Sequence, residues 1–179
     1  EDFKNILASN GDKNIIVTRD IIYTCQVNDV GSYWITLGSG EKTLNLNGKS
    51  VELNAETGVE TTMIRVPNGA SLVINDTSGD NSGKLFCYGK MTSPRDADGI
   101  PRYFNEEVKH RNVLEVDGGA VTINGGTFSI ADGRSTIGWT SSMIDQNSTA
   151  QVIVKGGLFN GGFRINSTTT TLTIEGGEF

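Results

Sequence analysis

A dense group of side chains that could do chemistry falls between Gly89 and Arg111. This stretch holds Arg95, Asp96, Asp98, Arg102, Tyr103, Phe104, Glu106, Glu107 and the chain's one histidine, His110. Aromatic rings beside charged groups suit a sugar. A ring lies against the apolar face of a pyranose while the charges hydrogen-bond its hydroxyls. Arg95, Asp98, Arg102, Tyr103, Phe104 and His110 are therefore the candidate ligand-binding set. Trp139 joins them from a second irregular stretch, between Gly138 and Thr140. The competing reading is a solvated excursion whose Tyr103 and Phe104 fold back on the body of the protein.

Paired carboxylates also invite a glycosidase reading, with Asp96 and Asp98 or Glu106 and Glu107 as acid and base. Adjacent positions rarely face one cleft, however, and no local motif marks a Ser or Cys partner for His110. No catalytic residue is assigned. Asp76 to Gly83 contains two Asp and two Gly but lacks the spacing of an EF-hand loop. No cofactor or metal is expected, with calcium in this loop as the alternative. Trp34, beside Tyr33, reads as a core residue.

Composition narrows the partners. The 179 residues suit one domain with a sizeable core. The net charge of -6 argues against a general nucleic-acid binder, which needs a basic surface. No apolar run approaches the ~18 residues that cross a bilayer, so no membrane insertion is expected. The chain opens at Glu1 without a Met, so a leader or upstream domain is expected to have been removed. Cys25 and Cys87 show no metal-binding spacing and sit in strand-like apolar settings, which reads as two buried thiols. A disulfide between them is the alternative.

The elements that must position these residues are short and repetitive. The 23 glycines, with abundant Asn and Thr, describe many tight corners between strands. Thr122-Ile123-Asn124-Gly125-Gly126-Thr127-Phe128 returns as Ile153 to Phe159 and again as Thr173 to Phe179. Each copy reads as a strand, a two-glycine corner and a second strand opening on or near Phe. Further strands are expected at Ile15–Tyr23, Tyr33–Leu37, Thr43–Leu46, Ser50–Leu53, Met63–Val66, Ser71–Ile74, Lys84–Cys87, Val113–Val116, Met143–Asp145 and Phe163–Ile165. Residues 1–10 are the one helix candidate, with Phe3, Ile6 and Leu7 at helical spacing and a stop at Asn10-Gly11.

Gly156 and Gly176 stand 20 residues apart; Gly125 and Gly156 stand 31 apart, one unit plus an insertion within 131–142. A period near 20 with short strands and no helices between them predicts an all-β, single-stranded parallel β-helix. It has three short strands per coil, roughly seven coils and a length of about 34 Å at 4.8 Å per coil. One domain over 1–179 is expected, with a capping helix at 1–10 and insertions at 89–111 and 131–142. Ile123, Val154 and Ile174 should form one inward ladder, and Phe128, Phe159 and Phe179 another. The chain stops at Glu178-Phe179 within a repeat. Further coils or another subunit are expected to cover that last coil.

Thr43 to Val51, Gly69 to Gly79 and the Gly-Gly-x-Phe units resemble the right-handed β-helix proteins of the pectin-lyase-like superfamily. In style they are similar to secreted or cell-surface repeat proteins of gut bacteria. The resemblance implies a rod outside the cell or on a bacterial surface. Lyases of the superfamily use a calcium-binding carboxylate cluster with an Arg or Lys, and Asp117, Asp145, Lys155 and Arg164 are the nearest candidates here. The fold hosts many activities, so none of these roles is carried over. The resulting expectation is a non-catalytic extracellular module that binds a polysaccharide or glycoconjugate, or serves as an adhesin stalk. The alternatives are a polysaccharide lyase or glycoside hydrolase, and a receptor-binding rod of a phage appendage.

Overall fold

A computed structural model describes residues 2–25, 33–55, 61–89, 111–130, 142–147, 149–165 and 169–179. Among these the chain is mostly β, with one short helix, α1 (Asp2–Ala8). The strands form three parallel sheets of six, five and five. The first contains β1 (Lys13–Ile16), β4 (Gly40–Asn45), β7 (Ala70–Asn75), β10 (Ala120–Ile123), β13 (Gln151–Val154) and β16 (Thr171–Ile174). The second contains β2 (Ile21–Cys25), β5 (Ser50–Ala55), β8 (Lys84–Gly89), β11 (Thr127–Ile130) and β14 (Leu158–Asn160). The third contains β3 (Tyr33–Thr36), β6 (Thr61–Pro67), β9 (Arg111–Asp117), β12 (Ser142–Asn147) and β15 (Phe163–Ile165). Every third strand in chain order therefore joins the same sheet. Three successive strands make one layer, and each layer lies in register on the last.

Strand alternation determines what goes inside. Along β7 the pattern of burial is strict, with Ala70, Leu72 and Ile74 in and Ser71, Val73 and Asn75 outward. Parallel pairing then aligns like positions between layers. Ile15, Leu44, Ile74, Ile123, Val154 and Ile174 share one register position of the first sheet. Four of them, Leu44 through Val154, are wholly buried, each contributing about 1.5–3 kcal/mol. The expected aromatic ladder also forms. Phe128 and Phe159 stack at 5.0 Å, and Phe159 and Phe179 at 5.1 Å, with rings within 11° of parallel. These columns end exposed: Ile174 is 51% and Phe179 65% accessible.

The two glycines of each doublet serve different purposes. The second, Gly126, Gly157 or Gly177, has a positive φ of 97°, 111° or 113°, which side chains resist. The first does not. At Gly156 and Gly176 a Cβ would lie 2.7 and 2.6 Å from a backbone oxygen of the layer before, that of Asn124 and of Lys155. In the last two doublets the second glycine bends the chain and the first lets two layers approach.

Three expectations need correction. Ile15–Tyr23 is two strands, β1 and β2, separated by residues 17–20. Its β-branched run hides a corner made without glycine, tied to the next layer by Val17 N–H on the Asn45 carbonyl and Ser50 N–H on Asp20. Among the described residues the layers number five, with β16 opening a sixth, rather than seven. Five spacings of 4.8 Å give about 24 Å rather than 34 Å. The shortfall arises because connections consume chain: Val154 and Ile174 are 20 residues apart, but their register partners Ile74 and Ile123 are 49 apart.

At the start of the stack Leu7 is buried and Phe3 meets Trp34 at 6.2 Å, as a covering helix requires. Trp34 is core, stacked on Tyr23 at 5.2 Å. One inward position is charged. Lys42, wholly buried, shares a register position with Leu72 and donates from Nζ to the carbonyls of Gly11, Gly38 and Ser39 at 2.8, 3.2 and 2.9 Å. Cys25 and Cys87 are buried thiols on β2 and β8, with β5 between. Two strand spacings, about 10 Å, exceed the reach of a disulfide.

Candidate functional site

In the third sheet a short motif recurs. Met63-Ile64-Arg65, Val113-Leu114-Glu115, Met143-Ile144-Asp145 and Phe163-Arg164 each put a charged residue after apolar ones. Pairing aligns Thr36, Arg65, Glu115, Asp145 and Arg164 at one register position on β3, β6, β9, β12 and β15. The apolar partners Ile35, Ile64 and Leu114 are wholly buried, so Arg65 and Glu115 turn outward. Tyr33, Thr62 and Asn112 form a neighbouring column, and Asp117 follows Glu115 by two residues on the same face.

These groups are tied together across layers. The Tyr33 hydroxyl donates to Glu115 Oε1 at 2.8 Å, and Thr62 Oγ1 reaches Glu115 Oε2 at 3.4 Å. Asn112 Nδ2 donates to Thr62 Oγ1 at 3.2 Å. The Arg65 guanidinium pairs with Asp117 Oδ2 and lies 4.9 Å from the centre of the Tyr33 ring. Burial, then the hydrogen bond to Glu115, pushes the Tyr33 hydroxyl pKa up, which keeps it a donor. The bond to Asp117 outweighs burial and raises Arg65 further, so its charge is permanent. Beside this row lies an open polar depression of about 340 Å³, lined by Arg65, Pro67, Asn68, Asp117, Gly118 and Thr149.

Among the described side chains the arrangement positions hydrogen-bond donors and acceptors. Glu115 is held by Tyr33 and Thr62, and Asp117 by Arg65. Of the four residues nearest the lyase pattern, Asp117, Asp145 and Arg164 lie on the adjacent strands β9, β12 and β15, whereas Lys155 follows β13 in the first sheet and does not join them.

The carboxylate of Asp76 is used in a way that disfavours a cation. Its oxygens accept from the N–H groups of Gly48, Ser78 and Gly83 and from the Ser78 hydroxyl, at 2.7–3.2 Å. Burial pushes its pKa up, but those four donors prevail and hold it below the usual carboxylate value. A calcium ligand needs lone pairs facing an ion rather than hydrogens facing the lone pairs. Among the described residues no three His, Cys, Asp or Glu side chains gather at a metal-binding point.

Arg95, Asp98, Arg102, Tyr103, Phe104 and His110 lie outside the described residues, as does Trp139. Topology still constrains where their segments attach. Residues 90–110 join β8 to β9 and residues 131–141 join β11 to β12, both from the second sheet to the third. The connections 26–32 and 56–60 join the same two sheets. Strands β9 and β12 are paired, with Asn112 opposite Ser142. Both candidate segments thus enter the sheet that carries Tyr33, Arg65 and Glu115. Of that face the sequence points to Asp117, Asp145 and Arg164 but not to Tyr33, Arg65 and Glu115, whose signal is the recurring charge inside apolar strands.

Family models, characterised proteins and solved structures were each compared with the chain, and none matched.

Proposed function

We propose that the chain is a right-handed parallel β-helix of the pectin-lyase-like kind and works outside the cell, or on a bacterial surface, as a non-catalytic glycan-binding module. Its three parallel sheets, visited in rotation, support the fold, and parallel crossovers are right-handed in about 98% of cases. The observation that carries the function is the outward row on the third sheet, where the Glu115 and Asp117 carboxylates are engaged by Tyr33, Thr62 and Arg65. Such a surface is preorganised to hydrogen-bond hydroxyls, and among the described side chains its two carboxylates are committed to neighbours. In this reading a further coil or another subunit covers the exposed Ile174 and Phe179.

The test is a screen of immobilised neutral and acidic polysaccharides that records both retention of the protein and release of soluble products. Retention without product is expected. Release of unsaturated or reducing-end fragments would replace this reading with a lyase or hydrolase. Failure to retain the protein on any glycan would leave only a structural rod.

A further inference from the structure

The depression beside Arg65 is lined by neutral polar groups and one ion pair. Its side-chain donors and acceptors come from Arg65, Asp117, Asn68 and Thr149. Arg65 cannot serve as a bare cation, because its guanidinium is paired with Asp117 and shares a register position with Glu115. Arg65 and Asp117 thus line the depression as a neutralised pair, and Glu115, at the register position of Arg65 on the adjacent strand, adds a negative charge beside it. The whole chain adds a field of the same sign, with a net charge of -6. A uronate or sulfate entering the site would meet that excess of negative charge at close range. A sugar hydroxyl would not, because it both donates and accepts. Asp117 offers an acceptor, while Asn68 and Thr149 offer both kinds of group. Arg65 Nε is buried and has no hydrogen-bond partner among the described residues.

We propose that this depression is a subsite for a neutral, vicinally hydroxylated sugar unit, and that it discriminates against uronic acids. The proposal rests on the glycan-binding reading above and specifies its ligand class. Tyr33 takes no stacking role in it, since the Arg65 guanidinium already lies against that ring.

The experiment uses a matched pair of ligands: a polyuronate and the same polymer after reduction of its carboxyl groups. Linkage and length stay constant; only the charge changes. Titration calorimetry on the full chain should show the reduced polymer binding about tenfold tighter or better at low salt. The gap should narrow in ~1 M salt, where screening shortens to about 3 Å. Asn68 and Thr149 are exposed, so the variant Asn68→Ala with Thr149→Val should keep its circular dichroism spectrum. It should bind the reduced polymer about fivefold or more weakly. Equal or tighter binding of the polyuronate overturns the charge argument and leaves glycan binding standing. Undiminished binding by the double variant overturns the assignment to this depression. If no glycan binds at all, the parent reading falls, and this one with it.

Discussion

Replacing Gly156 by Ala isolates the close approach of two layers from the bending of the chain. Gly156 precedes the positive-φ residue Gly157 and does not itself have a positive φ. Its added Cβ would lie 2.7 Å from the Asn124 carbonyl oxygen, whereas carbon and oxygen rest at about 3.3 Å or more. The layers must therefore part by roughly 0.6 Å at that point. Two interlayer hydrogen bonds flank it, Lys155 N–H to Ile123 O at 2.8 Å and Leu158 N–H to Gly126 O at 2.9 Å. Stretched by that amount, both approach the limit of useful geometry. Loss of two bonds at about 1 kcal/mol each, with overpacking of about 1–3 kcal/mol, gives an expected loss of ~3–5 kcal/mol. Gly162 is the control, because a Cβ there would meet nothing within 4 Å and its φ is not positive. Gly162→Ala should stay within about 0.5 kcal/mol of the parent. Urea unfolding followed by circular dichroism reads both variants on one scale. Coincident midpoints for Gly156→Ala and Gly162→Ala would refute the account of the doublets.

The aromatic column gives a second test: Phe159, stacked on both sides, should lose about 3–5 kcal/mol on truncation to Ala, well above the loss for exposed Phe179, and equal losses in urea would contradict the stacking. Asp76 has its folded pKa held below the unfolded value, so its stabilisation is complete above the unfolded pKa and disappears as pH falls through the folded one. Asp76→Asn should therefore flatten the acid limb of a stability profile below about pH 4, and an unchanged slope would count against the four-donor cap. Lys42→Met should destabilise by about 2–3 kcal/mol, because the carbonyls of Gly11, Gly38 and Ser39 lose their shared donor. Burial, then the nearby Lys13 charge, depresses the Lys42 pKa, so the parent gains stability as pH climbs from the folded toward the unfolded value. The Met variant should lack that gain, and thermal melts between neutral and alkaline pH will show whether it does.

Much of the fold was legible because it is written locally. Alternation two residues apart decides which side of a strand faces in, and that is visible in Ala70–Asn75 without any partner. The Gly-Gly-x-Phe units revealed both the corner and the column, since each copy carries its own turn and its own ring. Ile15–Tyr23 was misjudged because a corner built on Asp20 and interlayer hydrogen bonds leaves no glycine to read. The candidate sugar-binding residues were chosen from loops, while the row that the described structure assembles lies on strands. Its members, Tyr33, Arg65, Glu115 and Asp117, come from three different layers.

From the sequence alone follow the strand faces, the corners and the ladder of like side chains, because each depends on neighbours a few residues away. Which residues meet across layers is a matter for the tertiary structure. Register partners lie 20 residues apart in one layer and 49 in another, and hydrogen bonding between strands absorbs the difference in the connections. Tyr33 and Glu115, 82 residues apart, touch for that reason, and no local pattern records the distance.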